Sequence, residues 1–584
     1  MNLLLILALS AVVFYLASRW YGRGIGKILG INDEIPTPAV EKDDGRDFVP
    51  TKPHILFAHH FSAIAGAGPI VGPTVAMLYG FVPAWLWVVF GGIFIGAVHD
   101  FTALYISVKE GGSSIAEVTR KTLGNSGFLL FITFTLLMLF LVCAAFLNAT
   151  AISLTSMWSL ERLGLEADQT ALRAVANPTT GILEGVIGGI ASTSVIIITL
   201  LSPFLGWLIY RKGINTAIAY VAASVIAFGS VVAGFYYPVS LDPKVWMIIL
   251  SIYCLLAAGV PVWAILQPRD FINVQILYGG MALLVIGVFA GGIQGATITY
   301  PAVNLQEGVS HLGFLWPMMF ITIACGAISG FHALVAGGTT SKQVLRQRHI
   351  RKIGYGAMLL ESALALLVLL ALAGSLKYVD YMSIVWPDPA VGRANPILAF
   401  SLSVGYMLHN VFHAPVYIGT IFGILMVEGF VITSLDAAVR FIRYLLEELW
   451  QVIWPGAPAI IRNPWFNSGI AVVGMWALAA GNSFSSLWPI FGSANQLLAA
   501  LTLITITIWL TLRGMKSWFT VIPAVFMTAT TIASLVILLT TQYIPKGNVT
   551  LVIADLILLG LSVALAFLAV GKAAELMRNR RLAV

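Results

Sequence analysis

The sequence predicts an all-α polytopic membrane protein: about fifteen transmembrane helices plus a re-entrant segment, arranged as inverted repeats with discontinuous helices. Three observations predict this class. Hydrophobic residues make up 59% of the 584 residues and charged residues 10%, against about 25% charged in an ordinary soluble domain, which leaves no room for a large aqueous domain. Apolar runs long enough to cross a bilayer recur along the whole chain. Two of these runs, 54–79 and 314–340, are interrupted by glycine, and the first also by proline, where a spanning helix should be most regular.

Taken in order, residues 3–20 read LLLILALSAVVFYLASRW. This stretch lacks a basic leader and a small-residue cleavage site, so it is read as a retained span. With the loop behind it, it forms an extra N-terminal piece, 1–53. Spans at 54–79, 82–107, 127–157, 185–210, 214–236, 244–266 and 272–294 make a first half, 54–294. Spans at 314–340, 353–376, 414–436, 467–481, 488–511, 518–541 and 549–571 make a second half of opposite direction, 314–584. The apolar piece 396–413 is read as re-entrant. That choice puts the great majority of the 32 lysines and arginines on one side. The positive-inside rule then expects the N-terminus outside and the C-terminal tail in the cytoplasm. The net charge of +7 is explained by this loop bias, and no nucleic-acid partner is expected.

The first interrupted run reads HILFAHHFSAIAGAGPIVGPTVAMLY. Gly66, Gly68, Pro69, Gly72 and Pro73 weaken its middle, and main chain freed inside a bilayer survives only where protein or a cavity covers it. The second reads FLWPMMFITIACGAISGFHALVAGGTT, with Gly326, Ser329 and Gly330 at its break and His332 beside it. Substrate is expected between the two breaks, on Gly66, Ala67, Gly68, Pro69, Gly326, Ser329, Gly330 and His332. By direction and depth, His60, His99, Asp100, His332, Glu361 and Glu428 fall in one layer, about 10 Å from the cytoplasmic boundary. Ionisable groups there are expensive unless they pair or take up protons, so His60, His99, Asp100, Glu361 and Glu428 are expected to carry proton coupling.

Other features read more plainly. Cys143, Cys254 and Cys325 match no metal or disulfide spacing and are expected to be packing residues. Asp436 and Arg440, four apart, suggest a helix ion pair. Residues 437–451 suggest an interfacial helix bearing Arg440 and Arg443. HNVFH at 409–413 puts two histidines on one helical face, and LWPIFGSANQ at 487–496 suggests capping or interhelical hydrogen bonding.

Seven stretches together resemble the carbon starvation protein A family of bacterial inner-membrane transporters: DGRDFVPTKPHILFAHHFSAIAGAGPIVGP (44–73), GAVHDF (96–101), PVWAILQPRDF (261–271), FITIACGAISGFHALVAGGTT (320–340), GYGAMLLES (354–362), VITSLDAAVRFIRYLLEE (431–448) and LWPIFGSANQLLAAL (487–501). The resemblance implies ion-coupled uptake of small organic nutrients under carbon limitation, with pyruvate and peptides as substrate classes. It implies no enzymatic activity and no cofactor beyond a coupling proton or sodium ion. It also implies distant kinship with transporters of the LeuT type. In that comparison 54–79 and 314–340 are the first and sixth core helices, and Thr433 and Ser434 are candidate sodium ligands. The readings of another class are an intramembrane metal or redox enzyme built on His59–His60 and HNVFH, and a starvation sensor without transport. The only partners expected are a small-molecule substrate and the lipid bilayer.

Overall fold

The computed structural model describes all residues except 45–47, 178–180, 262–263, 389–391 and 583–584. Parts of two stretches that carry the family resemblance, at 45–47 and 262–263, therefore lie outside the described residues. Helices dominate. Among the described residues there is one small antiparallel sheet, of Met157–Ser159, Ala174–Ala176 and Leu183–Val186 with the last strand central. It occupies the long connection after the helix Ile115–Leu154, where the sequence offers no motif.

Among the described residues, eleven helices are long and apolar enough to cross a membrane, or twelve if the bent pair Pro53–Ile64 and Gly68–Tyr79 is one span. The difference from fifteen lies in three predicted spans. Residues 244–266 form a helix of 17 residues, Pro243–Gly259, which ends just before Pro261. Residues 467–481 form one of 16, Pro464–Ala479, which ends just before Gly481. Each is about 25 Å long at helical rise, short of the ~30 Å hydrocarbon core. The third, 314–340, is two separate short helices.

Residues 396–413 do not turn back on themselves. Pro396–Phe412 is one continuous helix. The reversal comes at His413, whose φ is 55°, and at Pro415. The returning limb is the start of a helix of 38 residues, Val416–Ile453. Gly405, Gly419 and Gly423 let the two limbs touch: a Cβ on Gly423 would meet Ser401 Cα at 2.8 Å and one on Gly419 would meet Gly405 Cα at 2.8 Å.

The chain divides into two compact units that cut across the two expected halves. One comprises Met1–Leu7, Leu139–Pro301 and Leu367–Leu487 and contains the hairpin just described. Its buried interior holds an ionic network. Arg269 Nη1 lies 2.7 Å from Asp436 Oδ2 and 2.8 Å from the Tyr253 hydroxyl, which donates to Asp436 at 2.6 Å. Asp436 thus pairs with Arg269, across helices, and not with Arg440 one turn away. Arg440 and Arg443 are buried and belong to the long helix, not to an interfacial one. Arg440 donates to the carbonyls of Ala257 and Val260, and Arg443 to that of Ala258 at 2.7 Å. These are the open carbonyls at the end of Pro243–Gly259, where cations are favoured by the helix dipole.

The other unit comprises Ala8–Met138, Ala302–Leu366 and Trp488–Val584, and both interrupted rods lie in it. The first consists of Pro53–Ile64 and Gly68–Tyr79, bent by 47° at the break. Pro69 is not the breaker: it sits in the first turn of the second half-helix, where its missing N–H costs nothing. The second rod consists of Leu315–Thr322 and Phe331–Gly338, separated by the unwound stretch 323–330. The rods run antiparallel. Thr51, before the first, is bridged to Val344, after the second. The Tyr79 hydroxyl, at the end of the first, donates to the Gly313 carbonyl, before the second, at 2.8 Å.

Small residues let the breaks meet. A Cβ on Gly68 would lie 2.4 Å from Cys325 Cβ, and one on Gly72 would lie 2.9 Å from the Thr322 carbonyl oxygen. The neighbouring helix Phe81–Lys109 has π-helical turns over Trp87–Gly96, a local widening that recurs near functional sites. Its Gly96 lets it approach the second break, since a Cβ there would be 2.2 Å from the Ala327 oxygen. Gly330 is the tightest of the break glycines towards main chain, with Asn495 O at 2.4 Å and Ala499 N at 2.6 Å from its missing Cβ. Gly330→Ala is therefore expected to cost about 1–3 kcal/mol, read as a lowered thermal unfolding midpoint of the purified protein. An unchanged midpoint would show that the two backbones need no such approach.

Candidate functional site

The site is built from four helices of the second unit. Phe331–Gly338 carries His332 directly after the unwound stretch, Phe81–Lys109 carries His99 and Asp100, Arg348–Ser375 carries Glu361, and Pro53–Ile64 carries His60. His332 is fully buried and lies between two carboxylates. Its Nδ1 is 2.7 Å from Asp100 Oδ2, and its Nε2 is 3.2 Å from Glu361 Oε2. The other oxygen of Asp100 is 2.8 Å from His99 Nδ1. The other oxygen of Glu361 accepts the Gly326 N–H at 3.2 Å, so this carboxylate joins the histidine to the unwound main chain. His60 is buried as well, with Nδ1 2.8 Å from the Thr340 hydroxyl, close enough to Asp100 and His332 for electrostatic coupling.

Five of the predicted coupling and binding groups are thus brought together: His60, His99, Asp100, His332 and Glu361. Glu428 is not among them. It belongs to the first unit, fully buried beside Ser153. Thr433 also lies there, and its hydroxyl donates to Asp270 Oδ1 at 2.8 Å; Ser434 next to it is half-buried. Gly66 and Ala67 fall in the first break, Gly68 and Pro69 begin its second half-helix, and Gly326, Ser329 and Gly330 lie in the second break. Only Gly66 among these is not fully buried.

Side chains hold two freed carbonyls of the second break, those of Ile323 and Ala324, and two at the end of the helix before it. Asn495 Nδ2 donates to Ala324 O at 2.7 Å and to the Ser329 hydroxyl at 3.0 Å, and its Oδ1 accepts the Phe331 N–H at 3.1 Å. Gln496 Nε2 donates to Phe320 O at 2.6 Å and Ile323 O at 3.1 Å, and Trp488 Nε1 to Thr322 O at 3.1 Å. The helix Phe484–Leu512 therefore braces the unwound stretch with side-chain amides, as buried main chain requires. The interhelical hydrogen bonding read from LWPIFGSANQ is located here, and its target is the break itself.

HNVFH does not form the two-histidine face that its spacing suggests. His413 leaves the helix in a left-handed conformation, and His409 Nδ1 lies 3.0 Å from the Ala414 carbonyl. Cys325, read as packing, instead sits in the second break beside His332 and Glu361. A cysteine without a patterned neighbour carries no signal in sequence; only the fold of the break supplies its partners.

Two antiparallel broken rods joined by buried ionisable groups define a polytopic membrane protein with discontinuous helices. The chain belongs to the carbon starvation protein CstA family, whose family pattern matches residues 2–394 and 383–534. It is 31% identical to the peptide transporter CstA of Bacillus subtilis, over 86% of this chain and 84% of that one. It is 30% identical to the peptide transporter CstA of Helicobacter pylori, over 94% and 83%. It is 29% identical to the pyruvate/proton symporter BtsT of Escherichia coli, over 89% and 80%. Among solved structures, MhsT in complex with L-phenylalanine aligns with 83% of this chain and 98% of its own at 14% identity, with a TM-score of 0.30, too distant a likeness to bear on any residue.

Proposed function

We propose that this chain is a secondary active transporter of the bacterial inner membrane that imports a small organic nutrient, pyruvate or a short peptide, together with a proton. The observation that carries this reading is His332, held at the start of a half-helix between the buried carboxylates of Asp100 and Glu361. A proton taken up there is shared by three helices and, through Gly326, by the unwound main chain. Protonation and the shape of the break are then coupled. Transporter relatives named for peptides and for pyruvate with protons support the substrate class and the coupling ion. Both breaks are followed by a new helix start, at Gly68 and at Phe331, and helix N-termini favour an anionic group such as a substrate carboxylate.

His60, His99, Asp100 and Glu361 carry the proton in this reading, with Glu428 as a separate protonatable group of the other unit. Substrate takes Gly66, Ala67, Gly68, Pro69, Gly326, Ser329, Gly330 and His332. Sodium at Thr433 and Ser434 is a second form of coupling, favoured by the carboxylate of Asp270 against Thr433, since hard cations take oxygen ligands. In this reading the N-terminus lies outside and the C-terminus in the cytoplasm.

The test is uptake of labelled pyruvate and dipeptides into proteoliposomes, with proton and sodium gradients imposed separately. Accumulation under the proton gradient alone is expected. Absence of accumulation of either substrate under every gradient would reject the reading.

A further inference from the structure

The face of His332 turned to Glu361 also meets Cys325. One ligand atom from each of Cys325, His332 and Glu361 lies within 4.8 Å of the others, and all three residues are buried. With Nδ1 of His332 engaged by Asp100, Nε2 and Glu361 Oε2 face each other at 3.2 Å, yet among the described residues neither atom has a hydrogen-bond partner of good geometry. Two acceptors so placed call for a cation between them. A proton is one. The third group decides what else fits: a thiolate, an imidazole nitrogen and a carboxylate oxygen together are the donor set of a borderline divalent metal, zinc above all.

The size is right. Three atoms at most 4.8 Å apart, two of them 3.2 Å apart, surround a point no more than about 2.6 Å from each, and ligand distances of about 2.0–2.3 Å require each to close by a few tenths of an ångström. Cys325 lies in the unwound stretch 323–330, outside any helix, and is the ligand best able to move. The surroundings have the outer-shell pattern of metal sites. Asp100 holds the far nitrogen of the imidazole, the Gly326 N–H holds the far oxygen of Glu361, and Asn495 Nδ2 lies 3.8 Å from Cys325 Sγ.

We propose that Cys325, His332 and Glu361 form a binding site for one divalent transition-metal ion of the zinc type, which enters with loss of the thiol proton and excludes a proton from the same edge of His332. The proposal stands on the geometry of these side chains and does not rest on the chain being a transporter. It is tested on the full-length protein in detergent, first freed of metal, by titration with Co²⁺ and then Zn²⁺. The expected result is one Co²⁺ per chain with a near-ultraviolet sulfur-to-cobalt charge-transfer band that Zn²⁺ abolishes. The band should be lost in Cys325→Ser and kept in Cys143→Ser and Cys254→Ser. No band in the unaltered protein, or a band that persists in Cys325→Ser, would overturn the proposal. A second measurement does not depend on the folding of Cys325→Ser. In the Cys143→Ser/Cys254→Ser chain Cys325 is the sole thiol, and Zn²⁺ should slow its reaction with a small thiol reagent about tenfold or more, since the metal-bound sulfur is no longer the free nucleophile. An unchanged rate would overturn the proposal as well.

Discussion

Glu361→Gln and Asp100→Asn are expected to abolish gradient-driven accumulation of substrate while leaving substrate-for-substrate exchange in place. The amide keeps the size of the carboxylate and, in the Glu361→Gln variant, still offers an oxygen to the Gly326 N–H. What each change removes is one of the two negative charges that flank His332. For Asp100, bonded to His332 Nδ1 at 2.7 Å, a hydrogen bond to a charged group is worth about 1.5–3 kcal/mol, so the hold on a proton weakens by roughly 10- to 100-fold; for Glu361 what is lost is the attraction of a charge 3.2 Å from Nε2. Exchange needs the substrate contacts and the movement of the breaks but no net proton transfer, and it should survive. The measurement is counterflow and gradient-driven uptake side by side in proteoliposomes. Full concentrative uptake in both variants would remove these residues from coupling.

Arg269→Met is expected to be the most destabilising single change away from the site. Arg269 is 1% exposed and is the cation against Asp436, with Tyr253 bonded to both and Asp270 next to it in sequence. Breaking a buried pair by removing one partner costs about 3–5 kcal/mol, because the remaining charge stays buried. Removing both is far cheaper, so Arg269→Met/Asp436→Leu should recover most of the loss. Thermal or denaturant unfolding of the purified variants checks this. A single variant as stable as the parent protein, or a double variant no better than the single, would show that the network does not hold the unit together.

How much of this was legible in the sequence follows from the range of the interactions involved. The two breaks could be read from Gly66, Gly68, Gly326 and Gly330 because backbone freedom is a local property. Their lengths could not: the first rod unwinds over three residues and the second over 323–330, and the longer one is held open by Asn495, Gln496 and Trp488, far along the chain. Equal depth suggested one layer of titratable residues, and the structure brings His99, Asp100, His332 and Glu361 into contact, with His60 near them. Depth alone does not say which unit a helix joins, and Glu428 joins the other one. Spacing misled where a nearer-looking partner competed with a distant one. Asp436 has Arg440 one turn away but pairs with Arg269, and Arg440 spends its donors on the end of another helix. HNVFH misled for a similar reason, since i,i+4 spacing means a shared face only while the helix continues, and it stops before His413.

The most direct test of proton coupling through the broken rods is the internal pH of proteoliposomes on addition of a transported dipeptide, with no other gradient imposed and labelled uptake followed in parallel. Acidification that accompanies uptake in the unaltered protein, and is absent in Glu361→Gln, is the predicted result. Uptake of the same peptide by the unaltered protein with no change in internal pH would contradict it.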